Sequence, residues 1–112
     1  MELNQFITDG VTIIELKGKL MGGPDAVELH KTLHRLVEKD VKNFVLDLKD
    51  VDWINSSGLG ILISSLTTVR NNGGNLCLAQ AGDKIKNILN ITKLSSVFDS
   101  FDLLDDAVAS FK

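Results

Sequence analysis

The stretch Asn43-Phe44-Val45-Leu46-Asp47-Leu48 constrains this chain more than any other. It is a short, nearly continuous apolar run. Successive strand side chains point to opposite faces, so such a run needs cover on both sides, as in a parallel sheet with helices packed against it. The rest of the chain supplies the layers. Val11 to Leu16 is rich in β-branched residues and reads as a strand ended by Gly18. Asp9-Gly10 before it is a hairpin turn signal, which makes Leu3 to Thr8 the other arm. Pro24 and Asp25 suit a helix start. From there Ala26, Leu29, Leu33, Leu36 and Val37 recur at helical spacing to about Lys39, exposing Glu28, Lys31, Arg35 and Glu38.

A second helix is expected from near Ser56, through Leu59, Leu62, Ile63, Leu66 and Val69, stopped by Asn71-Asn72-Gly73-Gly74. Asn75 to Gln80 reads as a strand and Asp83 to Leu89 as a helix. Val97-Phe98 reads as a short edge strand. Leu103, Leu104, Ala107, Val108 and Phe111 mark a terminal helix, with Ser100 or Asp102 as its candidate cap. Strands alternating with helices predict an α/β fold: a mixed, mostly parallel sheet of four to five strands with right-handed crossovers, an N-terminal antiparallel hairpin and about four helices.

The 112 residues amount to one domain, 1–112, with no linker or internal repeat. The net charge is -3, and no Lys/Arg stripe is interleaved with aromatics, which disfavours nucleic acid as a partner. The N-terminus has neither the basic start nor the apolar stretch of a signal peptide, and no run approaches the roughly 18 apolar residues of a membrane span. The single cysteine, Cys77, sits in an apolar run and is expected to be a buried strand thiol. A cytoplasmic location fits these features. His30 and His34 are four apart, but Lys31 stands where the zinc motif needs Glu, and no third ligand is evident; no metal is expected. Ser56, His34 and Asp47 could be drawn as a hydrolase triad, but the Gly-x-Ser-x-Gly elbow is absent. No phosphate-binding loop of the nucleotide hydrolases is present. No enzyme activity and no cofactor are expected.

One segment stands apart: Asp50-Val51-Asp52-Trp53-Ile54-Asn55-Ser56-Ser57-Gly58-Leu59-Gly60. It leads from the central strand into the next helix, where ligands and partners usually meet an open parallel sheet. Asn55, Ser56 and Ser57 are each able to accept hydrogen bonds from the free amides of a first helical turn. Gly58 and Gly60 each cost roughly 1 kcal/mol relative to Ala inside a helix, which is tolerable where backbone or a partner must come close. A phosphate on Ser56 would sit over the free amides of the helix start, which favour an anion. The local surface would turn from neutral to anionic and repel a partner packed flat against it. A plain strand-to-helix turn is the competing reading of the same residues.

From Asp47 to Gly60, the sequence DLKDVDWINSSGLG resembles the signature of STAS domains, the anti-sigma factor antagonists and their relatives. The resemblance extends through Leu16-Lys17-Gly18 with Leu20, through Asn72-Gly73-Gly74, and through Leu89-Asn90-Ile91-Thr92-Lys93-Leu94 with Val97-Phe98. It implies partner switching. In that family an anti-sigma factor that is also a serine kinase, of the histidine-kinase-like ATPase type, binds the unphosphorylated antagonist and releases a sigma factor. Phosphorylation ends the complex, and a serine phosphatase resets it. By alignment the phospho-acceptor is Ser56, with Ser57 the second choice, and the partner surface comprises Met21, Trp53, Asn55, Ser56, Ser57, Gly58 and Leu59. The sequence departs from the family at Asn55, where aspartate is common, and at Lys19 and Met21, which replace acidic positions. An adaptor or scaffold subunit of the same fold, for example in a transport or lipid-trafficking complex, and a small-ligand sensor are the alternatives.

Overall fold

The computed structural model describes residues 2–112. The chain runs β1 (Glu2–Thr8), β2 (Val11–Leu20), α1 (Pro24–Glu38), β3 (Asn43–Ile54), α2 (Ser56–Asn71), β4 (Asn75–Ala79) and α3 (Asp83–Ile91), then a 3₁₀ turn at Leu94–Ser96, β5 (Ser100–Phe101) and α4 (Leu104–Ala109). β3 lies at the centre of a five-stranded sheet of order β1-β2-β3-β4-β5. β1 and β2 pair antiparallel across the Asp9-Gly10 turn, whose two residues both have positive φ, as a two-residue hairpin loop matched to strand twist requires. All other pairings are parallel.

The double burial of β3 follows from its neighbours. Phe44, Leu46 and Leu48 join the core beneath α1, α2 and α3, together with Leu29, Leu33, Leu62, Leu66, Ile85 and Leu89. Val45 points to the other face and packs with Val11, Ile13, Cys77, Ala79 and the Ala107 and Val108 of α4. One helix thus covers the second face and three cover the first. Asp47 is a carboxylate buried on the α4 side: its register partner is Ala79 of that cluster. Gln80 Nε2 donates to both its oxygens, each at 3.1 Å, and the Lys49 amide donates to Oδ1 at 3.1 Å. These bonds replace the water lost on burial.

Four sequence expectations require correction. Gly18 does not end β2. With φ at 102° it lies between two register irregularities, and the strand resumes beside β3 to Leu20. β3 likewise continues through Asp50–Ile54, so the segment expected as a connecting turn is mostly strand. Val97-Phe98 is not the edge strand. Lys93 turns left-handed after α3, the 3₁₀ turn follows, and Phe98 plugs the core at 4% exposure. Strand pairing begins later, where the Leu78 amide donates to Asp99 O (2.9 Å) and the Gln80 amide to Phe101 O (2.8 Å). Neither Ser100 nor Asp102 caps α4: Ser100 belongs to β5, Asp102 bonds Lys86 Nζ at 2.5 Å, and the N-cap position falls on Leu103.

Cys77 lies in β4 as the sequence suggests, 1% exposed. Burial pushes its thiol up to about 11, opposed by a hydrogen bond with Ser110 and reinforced by Asp99. Because the folded value is raised, the stabilisation is intact below the ordinary thiol value of about 8.5 and is lost as pH rises through the folded one. The prediction is that native protein reacts with a thiol reagent only as fast as it opens, whereas urea-unfolded protein reacts at once, and that stability falls between pH 9 and 11 more in the native sequence than in Cys77→Ala.

Candidate partner-binding site at the start of α2

Parallel pairing brings the ends of β2, β3 and β4 to one edge of the sheet, and the helix starts that follow them gather there. α2 begins one residue after β3. Asn55 is its N-cap, with extended backbone (φ -111°, ψ -175°). The Gly58 amide donates to Asn55 Oδ1 at 2.8 Å, and the Leu59 amide donates to Asn55 O at 2.9 Å. Asn55 also reaches backwards: its Nδ2 donates to Met21 O at 3.5 Å and its amide to Leu20 O at 3.4 Å. One side chain therefore caps α2 and ties it to the loop between β2 and α1.

The two glycines of the first turn have different reasons. A Cβ on Gly58 would stand 2.0 Å from the carbonyl oxygen of Leu20 and 2.8 Å from Ile54 Cγ1, so α2 can press against the end of β2 only without a side chain here. A Cβ on Gly60 would meet nothing within 4 Å. Gly22 completes the seam: its φ is +89°, and a Cβ there would lie 2.9 Å from Ser57 Cβ. Both serines are exposed; Ser57 is backed by the loop through Gly22, while Ser56 stands at the first helical position.

Of the surface expected from sequence, Met21 (46% exposed), Trp53 (39%), Ser56 and Ser57 are exposed, and the Asn55 cap ties the Met21 backbone to the start of α2. Gly58 and Leu59 do not join them at the surface. Both are buried, Leu59 at 9% within the main core, because the first turn of α2 sends that side toward the sheet. They support the surface from beneath. Lys19 lies opposite Trp53 in the β2–β3 register. On the other side Lys84, in the first turn of α3, holds its Nζ 4.8 Å from the Trp53 ring centroid, a cation–π contact. Lys84 was missed from sequence. The signal was the parallel order itself, since the helix after β4 must also start at this edge. No acidic residue occupies the first turn of α2, so the helix amides face no resident anion.

The residues of the imagined triad are not assembled. Asp47 is turned to the α4 face, whereas His34 lies on α1 across the sheet. His34 instead meets His30 edge to face, ring centroids 6.5 Å apart. Among the described residues no group of three His, Cys, Asp or Glu side chains could hold a metal ion, and no helix is long and apolar enough to cross a membrane.

The glycine geometry predicts opposite responses to alanine, checked by urea denaturation. Gly58→Ala forces a clash with backbone and should destabilise by about 1–3 kcal/mol or more. Gly60→Ala has open space and should stabilise by about 1 kcal/mol. Asn55→Ala removes the cap and should cost about 1 kcal/mol, while Asn55→Asp, which keeps the acceptor, should cost far less.

The same fold recurs in known proteins. The chain is 29% identical, over 112 residues, to BtrV of Bordetella bronchiseptica, provisionally named an anti-sigma factor antagonist; the match covers 100% of this chain and 96% of that one. A crystal structure from Thermotoga maritima, under the same provisional name, superposes with a TM-score of 0.87 at 24% identity, covering 96% of this chain and 92% of that one. The Bacillus cell fate determinant SpoIIAA in its phosphorylated form gives 0.75 at 12% identity, covering 99% and 100%. Residues 4–107 match the STAS domain model, so the chain belongs to the STAS domain family.

Proposed function

We propose that this chain is an anti-sigma factor antagonist whose partner surface is the Asn55-capped start of α2, and that Ser56 is its phosphorylation switch. Unmodified, it binds an anti-sigma factor that is also a serine kinase of the histidine-kinase-like ATPase type. Phosphorylated, it is released until a serine phosphatase restores it. It acts by binding and carries no catalysis of its own, in the cytoplasm.

The observation that carries this reading is the exposure of Ser56 on a helix start whose geometry is already fixed by other residues. Asn55 supplies the cap through Gly58, and Gly58 seats the turn on Leu20. The Ser56 hydroxyl is therefore not needed to hold the turn. A phosphate there adds close to two negative charges beside free helix amides and beside the exposed side chains of Met21 and Trp53. The helix accommodates the charge; a partner packed flat against the corner must desolvate it and make room for it. The family relationship supports the same logic. This chain superposes with a TM-score of 0.73 on SpoIIAA in its unphosphorylated form and 0.75 on the phosphorylated form, so that protein keeps one fold in both states. Ser57 is the less favoured acceptor, since its Cβ is packed against Gly22.

The test is binding to the kinase partner captured from the source organism. With ATP the partner should add one phosphate to the native chain and none to Ser56→Ala, which should still bind. Ser56→Asp should weaken binding by about tenfold or more, roughly 1.4 kcal/mol, while changing folding stability by less than about 0.5 kcal/mol. A phosphate mapped to another residue, or undiminished binding by Ser56→Asp, would refute the proposal.

A further inference from the structure

The two edges of the sheet are not alike. β5 is two residues long, a short edge of the kind that resists pairing with another chain. β1, at the opposite edge, runs seven residues, and only one of its sides is paired, with β2. Among the described residues, the other side is blunted only by the charge of Glu2 at its start. The sequence Glu2-Leu3-Asn4-Gln5-Phe6-Ile7-Thr8 has no Lys and no Pro, and its register with β2 is unbroken from Glu2 to Thr8. Natural edges are usually interrupted by one of those devices or by a bulge. This edge instead displays Ile7, 72% exposed, and Phe6, 42% exposed.

We propose that β1 pairs antiparallel with β1 of a second copy, forming a two-fold dimer with one continuous sheet, and that Gln5 lies on the axis. A two-fold axis perpendicular to the sheet keeps the helix layers of both copies on the same face. Facing residues must then point to the same side, which puts the axis on a residue position and not between two. With Gln5 at the centre, Ile7 meets Leu3 of the second copy. Leu3 already packs against the main core, so Ile7 would extend that core across the interface. Centring on Asn4 would set Glu2 opposite Phe6 and the half-buried Leu3 opposite polar Gln5.

The neighbouring helix is self-complementary under the same axis. Glu28, Lys31 and Arg35 of α1 flank Leu3, Asn4 and Gln5 along the free edge. They run from an acidic to a basic end, about one helical turn apart at each step. Antiparallel placement of two such stripes brings Glu28 toward Arg35 of the second copy at both ends. This edge is formed by β1 and α1, whereas Ser56 follows β3, so the dimer would leave the phosphorylation surface accessible.

Sedimentation equilibrium tests this. Native protein should rise with concentration from the 12.2 kDa of one chain toward twice that mass. Ile7→Lys, at a position exposed in the single chain, should stay at the mass of one chain and melt like the native chain at concentrations too low for dimerisation. Gln5→Cys should form a disulfide-linked dimer under mild oxidation, because residue 5 faces itself, and Phe6→Cys should do so much more slowly. The mass of one chain at every concentration into the millimolar range overturns the proposal. So does a dimer that survives Ile7→Lys, or a Gln5→Cys chain that fails to cross-link.

Discussion

The close approach of Gly58 to the carbonyl oxygen of Leu20 is the contact on which the functional end of this molecule depends. Backbone can meet backbone this closely only where no side chain intervenes. The approach seats the first turn of α2 on the end of β2, and Asn55 then closes the corner. Its side chain caps α2 through Gly58 and reaches the Met21 carbonyl in the adjoining loop. Strand end, loop and helix start become one unit. Ser56 is carried on that unit without being part of what holds it, as the proposed switch requires: a phosphate there would alter the surface and leave the fold alone.

Around this unit the surface is mixed. Trp53 lies between Lys19, its register neighbour on β2, and Lys84, whose ammonium rests over the ring from α3. The cation–π contact gives the exposed indole a fixed neighbour, so the platform beside Ser56 draws on three successive strand-to-helix connections. Parallel topology explains this convergence. Each of β2, β3 and β4 delivers its following helix to the same edge, and the side chains at those starts become neighbours despite wide separation in sequence.

Much of this was legible in the sequence. The apolar run Asn43–Leu48 implied a doubly covered central strand, and the structure covers Val45 with α4 and Leu46 with the other helices. Asp9-Gly10 gave the hairpin, Asn71 to Gly74 gave the end of α2, and Asn55 was identified among the cap candidates. What was not legible depended on contacts distant in sequence. Gly58 and Gly60 look alike in a helix propensity argument, yet one meets backbone and the other open space. Val97-Phe98 has strand-like composition, but Phe98 is used as a core plug, and pairing with β4 falls on polar Ser100 and on Phe101. Leu59 was named both in the apolar stripe of the helix and in the partner surface, and the structure keeps only the first: it points inward. Lys84 joins the site only through the sheet order.

The central claim is that modification of Ser56 changes the surface of a preformed corner. Backbone NMR of the chain carrying a phosphate on Ser56, compared with the unmodified chain, tests it most directly. The account predicts amide shift changes confined to the first turn of α2, the loop of residues 19–23 and the start of α3, with hydrogen exchange in the core of β3 and β4 unchanged. Shifts spread through the sheet, or loss of protection along α2, would contradict it.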